Sequence, residues 1–487
     1  MIQLEKMKRI QYLLISLVAL FTLTTACTNF DELNVDPTRL DKANPGNFLN
    51  PVLYGLASYN WSRYNDFTFA LMQSKVSTSN TNGIGWYYVN DGAGDGSWTT
   101  YYRWLNNIYI MEEKAVELNE PNYQAIAMVL RSWLFHILTD AFGNVPMSEA
   151  CHGDEQVFTP KFDDQKAIYH QILSDLKEAN ALFNPSAGLR YNQDGDLLYS
   201  AGPSSATVAI GKWKKFCNSL RLRVLMRVID VGEFNAIEEI RTMLSDATVY
   251  PIFTNNDEAA LLPLSGVSPE EAPLTRPQDF TSYIVLSEFF INNLKSWNDP
   301  RLPVFANLAT NNGVRDYVGM PSGYATLPAL SASSPNQGIC IAPMKICLMN
   351  YAEVEFIRAE LAQRGLFEAG NAAAAYQKGV TAAIQQWNAE IPANYFENKL
   401  TEYNGTLERI HLQKYFALFF CDYQQWFEHN RTGYPVMPRG FGVPAANKMP
   451  QRFKYPAALQ RTNLKNYQEA RDKMGGDDFS IKLFWQK

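Results

Sequence analysis

The residues best suited to chemistry lie between Thr81 and Trp104, where Trp86, Tyr87, Tyr88, Trp98, Tyr101 and Tyr102 are set among Gly, Asn and Asp. Glycines let a backbone run as a loop, and rings carried on a loop cannot all be core. A flat apolar ring edged by amides and carboxylates suits a sugar, which offers C–H faces for packing and hydroxyls for hydrogen bonding. Trp86, Tyr87, Tyr88 and Trp98 are therefore the candidate ligand-contact residues. The same loop could instead bind a peptide or cap the core. Tyr101 and Trp104 fall at the start of a helix and are expected to point inward. Asp91–Gly96 lacks the ligand run and terminal Glu of a calcium loop.

Other constellations point away from catalysis. The five His include no H-E-x-x-H or other metal spacing, and His136 lies inside an apolar helical stretch as a core histidine would. There is no G-x-S-x-G nucleophile elbow and no P-loop. Glu353, Glu355 and Glu360 share a helix with Arg358, and we read them as ion pairs on the helix surface. A glycosidase dyad could be assembled from almost any two acids, so the acids alone carry little weight. No metal ligands and no cofactor are assigned.

The elements that must position the aromatic loop are mostly helices. Ile126, Val129, Leu130, Trp133, Leu134, Ile137 and Leu138 follow helical spacing, with Gly143 and Pro146 as the stop. Further stripes run Ile168–Phe183, Trp213–Val228, Tyr351–Arg364 and Tyr376–Trp387. Leu412, Phe416, Phe419, Phe420, Tyr423 and Phe427 are expected to form another single helix. The stretch up to Arg364 has large inward side chains, and an alanine-rich helix follows from Asn371. Such a pair packs closely, as tetratricopeptide helices do, although no strict 34-residue period is visible. Segments around 254–343 and 435–487 are rich in Gly, Pro, Ser and Asn, and loops of that length are commonly functional.

The 487-residue chain carries 43 basic and 49 acidic residues, a net charge of −6, which argues against a nucleic-acid partner. Aromatics reach 13%, enough to fill a large core and rule out disorder over most of the length. Lys6, Lys8 and Arg9 precede an apolar run from Tyr12 to Leu23, then the small residues Thr25 and Ala26 before Cys27. The apolar run is too short for the roughly 20 residues that span a bilayer, and the layout is that of a secretory leader. Residues 1–26 are thus expected to be removed, leaving 27–487 as one domain. Of the six cysteines, Cys217 and Cys421 fall on apolar helical faces, whereas Cys340 and Cys347 could bridge a small loop.

Thr24-Thr25-Ala26-Cys27 resembles a bacterial lipobox, which would make Cys27 the lipidated residue. Two or three acyl chains would hold the protein at a membrane, since each buried CH₂ contributes about 0.8 kcal/mol. Asp31 and Glu32 resemble the acidic surface-export signal of Bacteroidetes lipoproteins.

Several segments in order resemble the SusD/RagB family of nutrient-capturing surface lipoproteins. They include Asn29–Pro37, the FG-x-VP turn at Phe142–Pro146, Asn218-Ser219-Leu220-Arg221-Leu222-Arg223, Asn298–Arg301, Tyr351–Phe356, Gln413–Phe419, Trp426–Glu428, Arg431–Pro435 and Arg452–Pro456. The likeness runs from Cys27 to the C-terminus. It implies a mostly α fold, with about four tetratricopeptide-like helix pairs supporting an irregular, loop-rich ligand face. It also implies a non-enzymatic protein anchored in the outer membrane and facing the exterior. Such a protein passes glycans to a TonB-dependent (SusC-like) transporter. The alternatives are a peptide-binding member of the same architecture and, with less support, a surface hydrolase.

Overall fold

The computed structural model describes Met7 and residues 43–487, save 80–82, 367–370 and 487. The leader, Cys27 and the acidic pair Asp31 and Glu32 lie outside the described residues. Pro45–Lys487 forms one compact unit.

Its scaffold is a succession of helices, each packed on the next. Helix α1 (Gly46–Arg63) buries Leu49, Val52, Leu53, Leu56 and Trp61 on one stripe. It packs on α2 (Asp95–Glu117), whose Tyr101, Leu105, Ile108, Met111 and Ala115 recur at three- and four-residue steps. Helix α3 (Pro121–Phe142) starts with Pro at its first position, where no N–H is needed, and ends at Gly143 with φ +91°. It is long and apolar enough to cross a bilayer, yet it is buried inside the protein as the central helix. Helices α4 (Gln165–Leu182) and α5 (Ala206–Arg227) continue the stack, and α6 (Ala236–Ser245) closes it.

The chain then becomes irregular, but less so than composition suggests. The 254–343 segment contains α7 (Glu288–Ser296) and most of the strands. Three antiparallel pairs form: β1 (Lys75–Ser77) with β3 (Ile284–Leu286), β2 (Ala260–Leu264) with β6 (Met344–Met349), and β4 (Ala309–Asn311) with β5 (Val314–Asp316). Helix α8 (Tyr351–Gln363) opens with Asn350 accepting from the Glu353 N–H at 2.8 Å, an N-cap. Helix α9 (Ala372–Gln385) lies against α8 so closely that a Cβ on Gly379 would stand 3.1 Å from the Phe356 ring. The large-against-small packing expected for this pair is therefore present.

The aromatic stripe Leu412–Phe427 is not one helix. It divides into α10 (Leu407–Ala417) and α11 (Gln424–Thr432), and Phe420 and Asp422 between them have left-handed φ of 58° and 35°. Periodicity missed the break because the residues on both sides of it are buried. The turn sends Phe420 against Trp61 and Tyr64, at 5.1 and 4.4 Å between ring centroids, and Phe419 against Phe305 at 4.6 Å. Helix α12 (Leu464–Lys473) lies in the 435–487 tail.

Glu353, Glu355 and Glu360 are not on the helix surface: each is about 2% exposed. Arg223 of α5 forks onto Glu353 with bonds of 2.8 and 2.6 Å. Arg431 of α11 forks onto Glu360 at 2.8 and 2.6 Å, and also reaches Glu428, which Lys414 joins at 2.8 Å. Arg227 links Glu428, at 3.5 Å, to Asp140 of α3, at 3.0 Å, where His136 also stands 3.1 Å away. Helices α3, α5, α8, α10 and α11 thus share one buried ionic network. Burial alone would raise the pKa of Glu353 and Glu428; the guanidinium charges of Arg223 and Arg431 outweigh it and hold both carboxyls below the usual range.

The five described cysteines are free thiols, and Cys340 and Cys347 are not bridged. Cys340 hydrogen-bonds to the Gln337 carbonyl, while Cys347 packs with Leu418 and Cys421.

Removing one partner of a buried pair leaves the other charge uncompensated. Arg223→Ala is expected to lower stability by about 3–5 kcal/mol in urea denaturation. Acid acts on the same network. Burial lowers the His411 pKa from 6.5 to about 4, against the pull of Glu360 and Glu428. Its stabilising share is therefore full above pH 6.5 and is lost as pH falls toward 4, because the unfolded chain takes up the proton first. Glu360 adds a loss below 4.5: burial would raise its pKa, but the Arg431 charge holds it at about 2. Asp422 opposes both: burial raises its pKa to about 6, so its share is full below 3.8 and lost as pH rises through 6. Between pH 6.5 and 4, calorimetry should show Tm responding to falling pH less unfavourably in His411→Gln than in the parent; equal slopes would contradict this assignment.

Candidate functional site

The 83–90 segment leaves β1 and enters α2. Ile84–Trp86 makes one 3₁₀ turn, and Tyr87 follows in the left-handed region at φ 58°. Side chains from distant segments hold this unusual path. Gln73 Nε2 donates to the Gly85 carbonyl at 2.8 Å, and Asn447 Nδ2 donates to the Trp86 carbonyl at 3.1 Å. Gly442 lies flat on Trp86, where a Cβ would come within 2.8 Å of the indole, and its N–H donates to the Gly323 carbonyl at 2.8 Å. Gly440 approaches the Ser322 and Gly323 carbonyls so closely that a Cβ would stand 2.4 Å from each. These two contacts interlock the 322–325 and 439–443 loops with the aromatic loop, and only glycine permits them.

Between the aromatic loop, β1 and the Ser322–Gly323 segment lies a cavity of about 680 Å³. Trp86 and Tyr88 line it, and Tyr88 is 64% exposed. Tyr283, 72% exposed, also lines it, placed by the β1–β3 ladder through the Thr78 N–H bond to its carbonyl at 2.9 Å. Asp66 reaches the cavity from a π-helical turn, Tyr64–Thr68, that prolongs α1. Such turns re-aim side chains and are frequent at functional sites. Lys75 lies beside it, its ammonium donating to the Asn65 carbonyl and standing 5.0 Å from the Phe69 ring centroid. Burial lowers the Lys75 pKa to about 8, against the pull of Asp66. Asn90 and Ser322 complete the polar edge. The arrangement offers apolar faces, donors and acceptors in one concavity, the combination that a sugar or a peptide backbone satisfies.

The candidate ring residues divide. Trp86 and Tyr88 line the cavity. Tyr87 is half-buried against the core, and burial raises its pKa to about 12. Trp98 is not on a loop. It sits one turn into α2 among Tyr102, Phe142, Phe162 and Tyr455, at centroid distances of 5.0, 5.2, 5.9 and 6.0 Å. Tyr101 is fully buried, as expected, and Trp104 is half-buried.

Sequence reasoning missed Asp66, Tyr283, Tyr324 and Phe441. Tyr324 and Phe441 meet edge-to-face at 6.0 Å beside a neighbouring cavity of about 460 Å³ that shares Ser322 with the first. Phe441 is 96% exposed. A signal for these two existed: each is an aromatic residue flanked by glycine inside a segment already read as a functional loop. Nothing in the local sequence marks the π turn that delivers Asp66.

One other cluster could attract a metal, since the ligand atoms of Glu360, His411 and Glu428 lie within 4.8 Å of one another. Arg431 and Lys414 already occupy those carboxylates, so the trio belongs to the ionic network of the scaffold. A second, larger cavity of about 790 Å³ shares no lining residue with the aromatic one.

The fold has solved relatives. A chitin-binding protein superposes with a TM-score of 0.77 at 25% identity, covering 91% of this chain and all of its own. A SusD homologue from Bacteroides fragilis NCTC 9343 gives 0.74 at 25% identity, covering 92% of this chain and 100% of its own. A SusD-like protein from Bacteroides thetaiotaomicron VPI-5482, at 19% identity, shares the fold with a TM-score of 0.72 over 90% of this chain and 99% of its own. No curated protein matches the sequence. The model of the SusD-like family described as starch-binding and associating with the outer membrane matches residues 37–456, and the chain belongs to that family.

Proposed function

We propose that this protein is an outer-membrane lipoprotein that binds oligosaccharide in the aromatic cavity, unaltered, and delivers it to a TonB-dependent transporter. The observation that carries the reading is the set of three rings, half-buried Trp86 with exposed Tyr88 and Tyr283, that line one concavity edged by Asp66, Lys75 and Asn90. Ring faces pack on sugar C–H groups while the polar edge meets hydroxyls. The family description and the chitin-binding relative support carbohydrate as the ligand class. A binding role is favoured over hydrolysis, because Asp66 is the one carboxylate among the described residues lining this cavity and a glycosidase needs two. Lipidation at Cys27 and exposure at the cell surface complete the proposal, and both rest on the leader and its small-residue cleavage site.

Isothermal titration with maltoheptaose and chitohexaose tests the ligand class; binding of peptides in place of both would reject it. Trp86→Ala should weaken oligosaccharide binding by about 1–3 kcal/mol with little change in Tm. Trp98→Ala should do the reverse, losing about 2–3 kcal/mol of stability while affinity holds, because its ring packs against four others. Cys27→Ala should move the protein from the membrane pellet to the soluble fraction; continued pelleting would contradict the anchor.

A further inference from the structure

The cavity of about 790 Å³ lies where the irregular half meets the scaffold. Strands β2 and β6 form its floor through Leu261 and Lys345, and the end of α9 supplies Gln386 and Trp387 as a wall. Trp387 is braced by Phe305, edge-on at 4.9 Å, and by Phe419 at 6.0 Å, so its position is set. Around the margin, Asp194, Glu270 and Lys345 line the space and form no ion pair among the described residues.

We infer that this cavity is a second carbohydrate-binding site, independent of the aromatic one. A braced indole supplies the packing face. A ligand here must donate to the free carboxylates of Asp194 and Glu270 while accepting from the Lys345 ammonium. Sugar hydroxyls do both from a single group. The volume falls within the range of about 300–1,000 Å³ typical of small-molecule sites. The inference rests on the glycan reading above but on different residues, so the two can fail separately.

The test is the stoichiometry of maltoheptaose and chitohexaose binding to the mature protein by titration calorimetry. Two sites are expected for at least one of them. Lys345→Ala should weaken one site at least threefold. Ser265→Trp, which changes an exposed lining residue and removes no core contact, should abolish that site and leave the one that depends on Trp86. Trp86→Ala should show the opposite loss. A single site, sensitive to Trp86→Ala and indifferent to Ser265→Trp, would overturn the inference while keeping the proposed function. A single site lost only in Ser265→Trp would keep this cavity and remove the aromatic one. No binding of either sugar would overturn both.

Discussion

The turn between α10 and α11 is the constraint on which the rest depends, because it joins the charged scaffold to the face that carries the aromatic cavity. On its scaffold side, Lys414, Glu428 and Arg431 belong to the buried ionic network. On its other side, Tyr415 hydroxyl meets Ser74 Oγ at 2.5 Å and donates to the Met72 carbonyl at 2.8 Å, just ahead of β1. Thr68 Oγ1 donates to the Asp422 carbonyl at 3.0 Å, and Tyr64 hydroxyl donates to Gln425 Oε1 at 2.8 Å. These bonds fix the π turn that aims Asp66 and the strand that leads to Trp86. The left-handed residues Phe420 and Asp422 are strained positions that persist because so many groups around them are satisfied.

A buried network of this size is a specificity device more than a source of stability. Desolvating each carboxylate and guanidinium costs several kcal/mol, and good geometry recovers about that much. What it does supply is a single permitted arrangement. A helix shifted by one residue would strand Arg223 away from Glu353 or Arg431 away from Glu360 in a dry interior. The loops can then vary in shape and composition without disturbing the frame that holds them. The interlocked glycines at 323, 440 and 442 continue that rigidity into the face itself, so the cavity is formed before any ligand arrives.

Much of the scaffold was legible in the sequence. Helices with one clean apolar stripe, such as Ile126–Leu138 and Trp213–Val228, carry their own signal in side-chain spacing. The failures have physical causes. The α10–α11 break hides because every side chain near it is apolar and buried, so burial no longer reports on backbone direction. Glu353 and Glu360 look like surface charges because their partners come from α5 and α11, far away in sequence. Trp98 was read as a loop residue because Gly92, Gly94 and Gly96 surround the helix start, and helix α2 begins among them at Asp95. Of the cavity itself, Trp86 and Tyr88 were legible, while Tyr283 and Asp66 depended on a strand pairing and a π turn that no local pattern announces.

The account makes the aromatic cavity the place where ligand is held. The most direct measurement is the electron density of a crystal grown with the tightest-binding oligosaccharide. The account predicts sugar rings packed on Trp86 and Tyr283, with hydroxyls within hydrogen-bond distance of Asp66 and Asn90. Density for a bound sugar confined to other surfaces, with this cavity holding solvent alone, would contradict it.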